Sequence, residues 1–159
     1  MHAMPNWRDL SHEQLLAQCR LETFRGPGPG GQKRNKTSSS VRLTHQPSGI
    51  SVIAGESRSQ PRNRANALRR LRHRMALLLR QPFESIAIRL DISQRSVDYP
   101  AVMGAVLDAL ESTGWSVSDA AVTLRTSTGK LVAFLRADAA LWTHVNRQRN
   151  LRGLRALNS

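Results

Sequence analysis

The chain has 159 residues, of which 40% are hydrophobic, 22% charged and only 4% aromatic. That balance excludes a disordered chain and fits one ordinary domain or two small ones, with a core built from Leu, Val, Ile and Ala. The formal charge of +13 favours a polyanionic partner, nucleic acid first among them.

The charge is unevenly placed. Residues 1–90 hold 16 Lys or Arg against 5 Asp or Glu, whereas residues 91–159 hold 8 against 6. The polyanion contact is therefore expected in the first half. Arg outnumbers Lys 21 to 3, the three being Lys33, Lys36 and Lys130. Arg suits RNA because its planar fork donates two hydrogen bonds and stacks on bases. Cys19 is the single cysteine, so no intrachain disulfide or Cys-based metal site can form, in keeping with a reducing compartment. The opening MHAMPNWRDL lacks the apolar stretch of a signal peptide, and the longest apolar run, Met75 to Leu79, falls far short of a membrane span. A cytoplasmic monomer with no membrane partner is the expectation.

Taken in chain order, Ser11 is placed to cap a short helix running through Gln18, with Gln14 at the capping-box position. Residues 20–24 alternate polar and apolar side chains, a strand signal. The run GPGPGGQ at 26–32 holds four Gly and two Pro and must be a loop. Alternation resumes from Ser40 to His45, Pro47-Ser48-Gly49 signals a turn, and Ile50 to Ala54 supplies the returning strand. With residues 20–24, this hairpin makes a small antiparallel sheet.

Ser59 can cap a long helix with Pro61 in its first turn, where a missing N–H costs little. Leu68, Leu71, Met75 and Leu78 form its apolar stripe, while Arg62, Arg64, Arg69, Arg70, Arg72 and Arg74 occupy the other faces. Pro82 closes the helix. Residues 85–98 read as a linker, although Ile86, Ile88 and Leu90 alternate. Beyond it the pattern is helical throughout. A helix from Tyr99, with stripe Val102, Val106, Ala109 and Leu110, ends near Gly114. Further helices follow at Val117–Leu124, at Ser127–Arg136 and from about Ala139 until Gly153 interrupts the last. The expected architecture is α+β: a small antiparallel sheet packed on a long basic helix over residues 1–84, then an all-α region over residues 99–159.

The chemistry concentrates in RGPGPGGQKRNKTSSSVRLTHQPSGI (25–50) and ESRSQPRNRANAL (56–68). The shared features are Gly28, Gly30-Gly31-Gln32, Asn35-Lys36-Thr37, Val41-Arg42, His45, Pro47-Ser48-Gly49, Ser57-Arg58-Ser59-Gln60 and Asn63-Arg64. On these residues, over roughly 20–80, the chain resembles the catalytic domain of class I peptide-chain release factors. It is most similar to the small Gly-Gly-Gln relatives that act in ribosome rescue. Pro27 and Pro29 stiffen the loop, and Lys33-Arg34 stands where the family often has His-Val. Neither departure touches Gly30, Gly31 or Gln32.

The resemblance implies hydrolysis of the peptidyl-tRNA ester on the ribosome, with Gly30, Gly31 and Gln32 as the catalytic residues. The residue types suit that chemistry. Two glycines allow positive φ and close approach to a buried ester. Oriented backbone N–H groups can hold an oxyanion, and the neutral Gln32 amide can position water but is a poor base. No Ser-His-Asp set, carboxylate pair or metal-spaced cluster accompanies them, so no cofactor or metal is expected. The resemblance instead implies a site completed by RNA of the large-subunit peptidyl-transferase centre and by the P-site peptidyl-tRNA. It also admits a methyltransferase acting on Gln32. Arg25, Lys33, Arg34, Lys36, Arg42 and Arg58, with the Arg-rich helix, would contact phosphates and so place the loop. Gln81-Pro82-Phe83 is only a loose echo of the family's codon-reading tripeptide, and domains that recognise stop codons have no room in 159 residues. Codon-independent release in ribosome rescue is the expectation, with stop-codon-dependent release as the alternative.

The second half admits a reading from another class. Residues 119–135 have helix-turn-helix spacing, which would make a DNA-binding regulator. Only Ser127, Thr128, Lys130 and Arg136 would face outward, and the near-balanced charge there is poor for DNA. The tail carries Arg147, Arg149, Arg152 and Arg155, which suit insertion into the vacant mRNA channel. Leu141, Val145, Leu151, Leu154 and Leu157 equally suit packing, and both readings stay open. His45 is expected to be structural and His73 to lie near phosphate; His2, His12 and His144 show no relay or metal spacing. Trp7, Trp115 and Trp142 read as core or interdomain anchors and Cys19 as a small buried apolar residue.

Overall fold

The computed structural model describes residues 6–26 and 38–158. It divides into two compact units, Met1–Met75 and Ala76–Ser159.

The first unit opens with helix α1 (His12–Ala17). Its N-terminus is fixed by a full capping box: the Ser11 hydroxyl accepts the Gln14 N–H, and the Gln14 side chain accepts the Ser11 N–H. Three strands follow, β1 (Cys19–Phe24), β2 (Ser40–His45) and β3 (Ser51–Ala54), in an antiparallel sheet of order β1-β2-β3. The register pairs Glu22 with Arg42 and Arg42 with Ile53. Because side chains alternate across a strand, Val41, Leu43, Val52 and Ala54 fall on one buried face, whereas Arg42 and Ile53 face outward. Gly49 makes the β2–β3 turn at φ +70°, a left-handed conformation that a Cβ would strain.

Helix α2 (Gln60–Leu78) begins at Ser59, whose hydroxyl accepts the Arg62 N–H. Ala67, Leu68, Leu71 and Met75 are buried and complete the core with the inner sheet face, Trp7 and Leu15. Two residues depart from the expected helical stripe. Leu78 is 53% exposed, because the buried line passes through Ala76 at that end. Arg72 is 9% exposed, and it donates to the backbone carbonyls of Leu10 at 2.6 Å and Trp7 at 3.5 Å. Arg72 was expected on a solvent-facing surface; its long stem instead carries the guanidinium to carbonyls that have no strand or helix partner. Burial lowers its pKa.

The second unit holds α3 (Tyr99–Ser112), α4 (Val117–Thr123), α5 (Thr128–Ala137) and α6 (Ala139–Leu151). Ser116, Ser127 and Asp138 cap α4, α5 and α6 with their side chains. Its core is Met103, Val106, Leu107, Leu110, Trp115, Leu124, Leu131, Leu135, Leu141 and Val145. Asp138 also accepts the Tyr99 hydroxyl at 3.0 Å. Burial and then that bond push the Tyr99 pKa up. Asp108 is buried and accepts the Gln81 N–H at 3.0 Å and the Arg80 guanidinium at 3.5 Å. Residues 85–98, read from sequence as a linker, form no helix or strand but are tied into this unit. The Ile88 N–H donates to the Leu124 carbonyl and the Ser85 hydroxyl to that of Thr123. The apolar Ile88, Leu90 and Ile92 line a cleft of about 640 Å³ with Phe134, which explains their alternation without a sheet.

Candidate RNA interface and the base of the Gly-Gly-Gln segment

Gly30, Gly31, Gln32, Lys33, Arg34 and Lys36 lie outside the described residues. What is described is the base from which that segment leaves and to which it returns. The β1–β2 ladder ends at the pair Phe24–Ser40, leaving Gly26 and Ser38 as the two flanking stems. Ser40 is buried between two glycines. A Cβ at either Gly26 or Gly55 would come within 2.6 Å of the Ser40 Oγ. Asn63, in the first turn of α2, is fully buried. Its amide nitrogen donates to the carbonyls of Ser39 at 2.7 Å and Ser57 at 2.8 Å, and its oxygen accepts the Ser57 N–H at 3.0 Å. Sequence reasoning matched Asn63 by position without finding its role, since no local pattern joins it to a residue 24 positions earlier.

The expected RNA-contacting arginines divide by what they touch. Arg25, Arg58, Arg62, Arg64 and Arg74 are exposed, and their guanidinium groups make no hydrogen bond or ion pair with a described residue. Arg69 donates to Asn66 at 3.3 Å. Arg42 lies 5.4 Å from the Phe24 ring centre and 4.0 Å from a Glu22 carboxylate oxygen. Arg70 is exposed but engaged, donating to the Ile53 carbonyl at 2.5 Å and to Glu56 at 3.1 Å. Backbone N–H groups of Glu56 and Gly55, then Arg70 and Asn66, hold the Glu56 carboxyl below the usual carboxylate range. Such exposed pairs are weak, about 0–1 kcal/mol, so phosphate can displace them. Arg72 is different, because its buried bonds to backbone hold the N-terminal segment.

His45 and Cys19 are engaged within the fold. His45 is 3% exposed; its Nδ1 lies 2.7 Å from the Ser48 hydroxyl and its Nε2 3.0 Å from the Gln18 side-chain oxygen. It joins the end of α1 to the hairpin turn, and burial lowers its pKa. His73 is half-buried on α2. Cys19 is also half-buried, its thiol donating to the Leu15 carbonyl at 3.2 Å and its pKa raised by burial. Among the described residues no three His, Cys, Asp or Glu side chains are grouped to hold a metal. No described helix is long and apolar enough to cross a membrane.

In the second unit, Ser127 accepts the Lys130 N–H as a cap, which occupies one of the outward polar groups of the helix-turn-helix reading. The tail turns back on its own unit. Arg149 donates to the carbonyls of Trp115 and Arg155, and Arg152 pairs with Glu111 at 3.3 Å and lies 5.0 Å from the Trp115 ring centre. The Leu157 N–H donates to Asn146 at 2.7 Å, and Arg136 donates to the Asn158 carbonyl. Leu141 and Val145 are buried, Leu154 and Leu157 half-buried, and Leu151 is 71% exposed. Arg147 and Arg155 are exposed.

The family model for the RF-1 domain matches residues 13–95, a span that contains the described base and Gly30-Gly31-Gln32. Peptide chain release factor 1 of Acidiphilium cryptum is 47% identical over 72 residues, covering 45% of this chain and 20% of the relative. Peptide chain release factor 1 of Acidothermus cellulolyticus is 45% identical over 96 residues, covering 60% of this chain and 26% of the relative. Peptide chain release factor 2 of Paramagnetospirillum magneticum is 41% identical over 83 residues, covering 52% and 22%. The chain thus spans about a fifth to a quarter of the length of these relatives. On the extent of the domain match, the chain belongs to the class I peptide-chain release factor family, as a bearer of its RF-1 domain.

Proposed function

We propose that this chain triggers hydrolysis of the ester bond of peptidyl-tRNA on the ribosome, and does so without reading a codon. The observation that carries the reading is the RF-1 domain match across residues 13–95, with Gly30, Gly31 and Gln32 inside it. Gly30 and Gly31 lack the Cβ atoms that would hold backbone N–H groups away from a buried ester. Gln32 donates and accepts hydrogen bonds and so orients the attacking water. The oxyanion formed on attack is stabilised by preorganised donors, and ribosomal RNA with the tRNA supplies the remainder of the site. Arg25, Arg58, Arg62, Arg64 and Arg74, exposed and without partners among the described residues, are available to phosphates beside the inserted segment.

Codon independence rests on the sequence of residues 76–159, which contains only the loose echo Gln81-Pro82-Phe83, and on a helical unit of nearly balanced charge. Rescue of stalled ribosomes in the cytoplasm is the role that fits such release. The test is peptide release from ribosomes carrying a labelled peptidyl-tRNA in the P site, with the A site either empty of mRNA or holding a stop codon. Release on the empty site is the expected result. Release only with a stop codon would overturn codon independence and assign decoding to residues within this chain.

A further inference from the structure

The first unit holds a fully buried polar side chain, Asn63, that ties a flank of the Gly-Gly-Gln segment, Ser39, to the turn at Ser57 before α2. Asn63 uses all three of its described hydrogen bonds on the backbone of Ser39 and Ser57. Ser39 lies two residues beyond the segment's end, and Ser57 opens the turn that leads into α2. A buried amide with satisfied bonds fixes what it touches, because breaking them leaves carbonyls without water. On the opposite stem, Gly26 approaches the side chain of Ser40, and Gly55 does so from β3's end; at both places a Cβ would meet the Ser40 Oγ at 2.6 Å. The two stems and the start of the basic helix are thereby locked into one base. In a site whose chemistry depends on oriented donors, a misplacement near 1 Å lowers rate about 100-fold.

We infer that Asn63 is a positioning residue for peptide release: it fixes the Ser39 stem, with Gly26 and Ser40 setting the other, so that the Gly-Gly-Gln segment is anchored at both ends to a rigid base. The inference rests on the release reading for its effect on rate, but the lock itself has a separate readout. Asn63 is fully buried and bonded only to backbone, so it acts on kcat and leaves ribosome binding to the exposed arginines.

The experiment compares wild type, Asn63→Ala, Gly26→Ala and the double variant Gly26→Ala/Ser40→Ala, all in the full chain. Release at saturating protein, the half-saturating concentration on ribosomes, melting temperature and amide hydrogen exchange are measured for each. Asn63→Ala should lower kcat at least 10-fold, with half-saturation within about twofold of wild type. Amide exchange should quicken at Ser38, Ser39 and Ser40 and stay unchanged in the body of α2. Gly26→Ala should show the same split. Removing the Ser40 Oγ leaves its Cβ 3.8 Å from the new methyl, an ordinary contact, so the double variant should regain much of the rate. Exchange that quickens across the whole unit, or affinity that falls together with kcat, would mean a merely structural role and overturn the inference. Unchanged rate and unchanged exchange at residues 38–40 would overturn it as well. If wild type releases no peptide, the function proposed above fails, and exchange at residues 38–40 in Asn63→Ala alone decides whether the lock exists.

Discussion

Arginine has opposite employment in the two units. In the first, Arg25, Arg58, Arg62, Arg64 and Arg74 are exposed with no described partner, while the backbone is tied together by buried groups: Asn63, His45 and Arg72. In the second, Arg80, Arg136, Arg149 and Arg152 bond to carbonyls or carboxylates of their own unit. A count of cations therefore says less about where phosphate could bind than do the cations that lack an internal partner. In the first unit Arg58, Arg62 and Arg64 stand around the start of α2, whereas the second turns Arg149 and Arg152 of its tail back on its own fold and leaves Arg147 and Arg155 exposed.

The contrast is sharpened most by removing the unpartnered charges. Replacing Arg58, Arg62 and Arg64 together by Ala should weaken ribosome binding about 100-fold near 0.1 M salt and flatten its dependence on salt, since each phosphate contact releases a counterion. Melting temperature should hardly change, because exposed side chains without partners contribute little to folding. Binding titrations across a salt series, with thermal melts alongside, check both halves of that statement.

Arg72→Met should behave in the reverse way. It keeps the apolar stem but leaves the Trp7 and Leu10 carbonyls without their donor, at a cost of about 2 kcal/mol in the stability of the first unit. Denaturant unfolding should register the loss, whereas the salt slope of ribosome binding should stay at the wild-type value. An unaltered unfolding midpoint would show that Arg72 is a surface cation after all.

A smaller effect is expected in the tail. Arg149→Ala with Arg152→Ala removes the Arg149 bonds to the Trp115 and Arg155 carbonyls and an exposed ion pair with Glu111, worth about 1 kcal/mol together. Ribosome affinity should remain unchanged. A large loss of affinity with unchanged stability would instead favour insertion of the tail into the vacant mRNA channel.

The smallest predicted effect is a pH dependence at His45. Burial lowers its pKa in the folded unit, so the unfolded chain takes up a proton first as pH falls. The contribution is complete above the ordinary value of 6.5 and is lost as pH drops from there through the lower folded value. His45→Gln should flatten this acid limb in unfolding measured between about pH 7 and pH 5, by under about 1 kcal/mol.

Local signals made much of this fold legible. The Ser11 and Gln14 capping box, the alternation in β2 and β3, Gly49 in the turn and Ser127 at the start of α5 each act within a few residues. The Gly-Gly-Gln segment stands out by its motif and lies outside the described residues. The remainder depends on contacts distant in sequence. Nothing local shows that Arg72 reaches Leu10, 62 residues away, or that Asn63 reaches Ser39. An Arg on a basic helix reads as solvated until the chain that covers it is known. The left-handed backbone at Trp115 and Arg125 was likewise unannounced, since neither is a glycine. Ile88 and Leu90 alternate like a strand, yet they line a cleft with Phe134.

The central claim is that release depends on Gln32 while ribosome binding does not. Its most direct test is single-turnover release of a labelled peptide by wild type and Gln32→Ala at saturating protein, with ribosome affinity measured for both. The account predicts equal affinity and a release rate lowered about 100-fold, the size of losing one preorganised hydrogen-bonding group at a reacting centre. Release by Gln32→Ala at the wild-type rate, or no release by wild type from any ribosome, would contradict it.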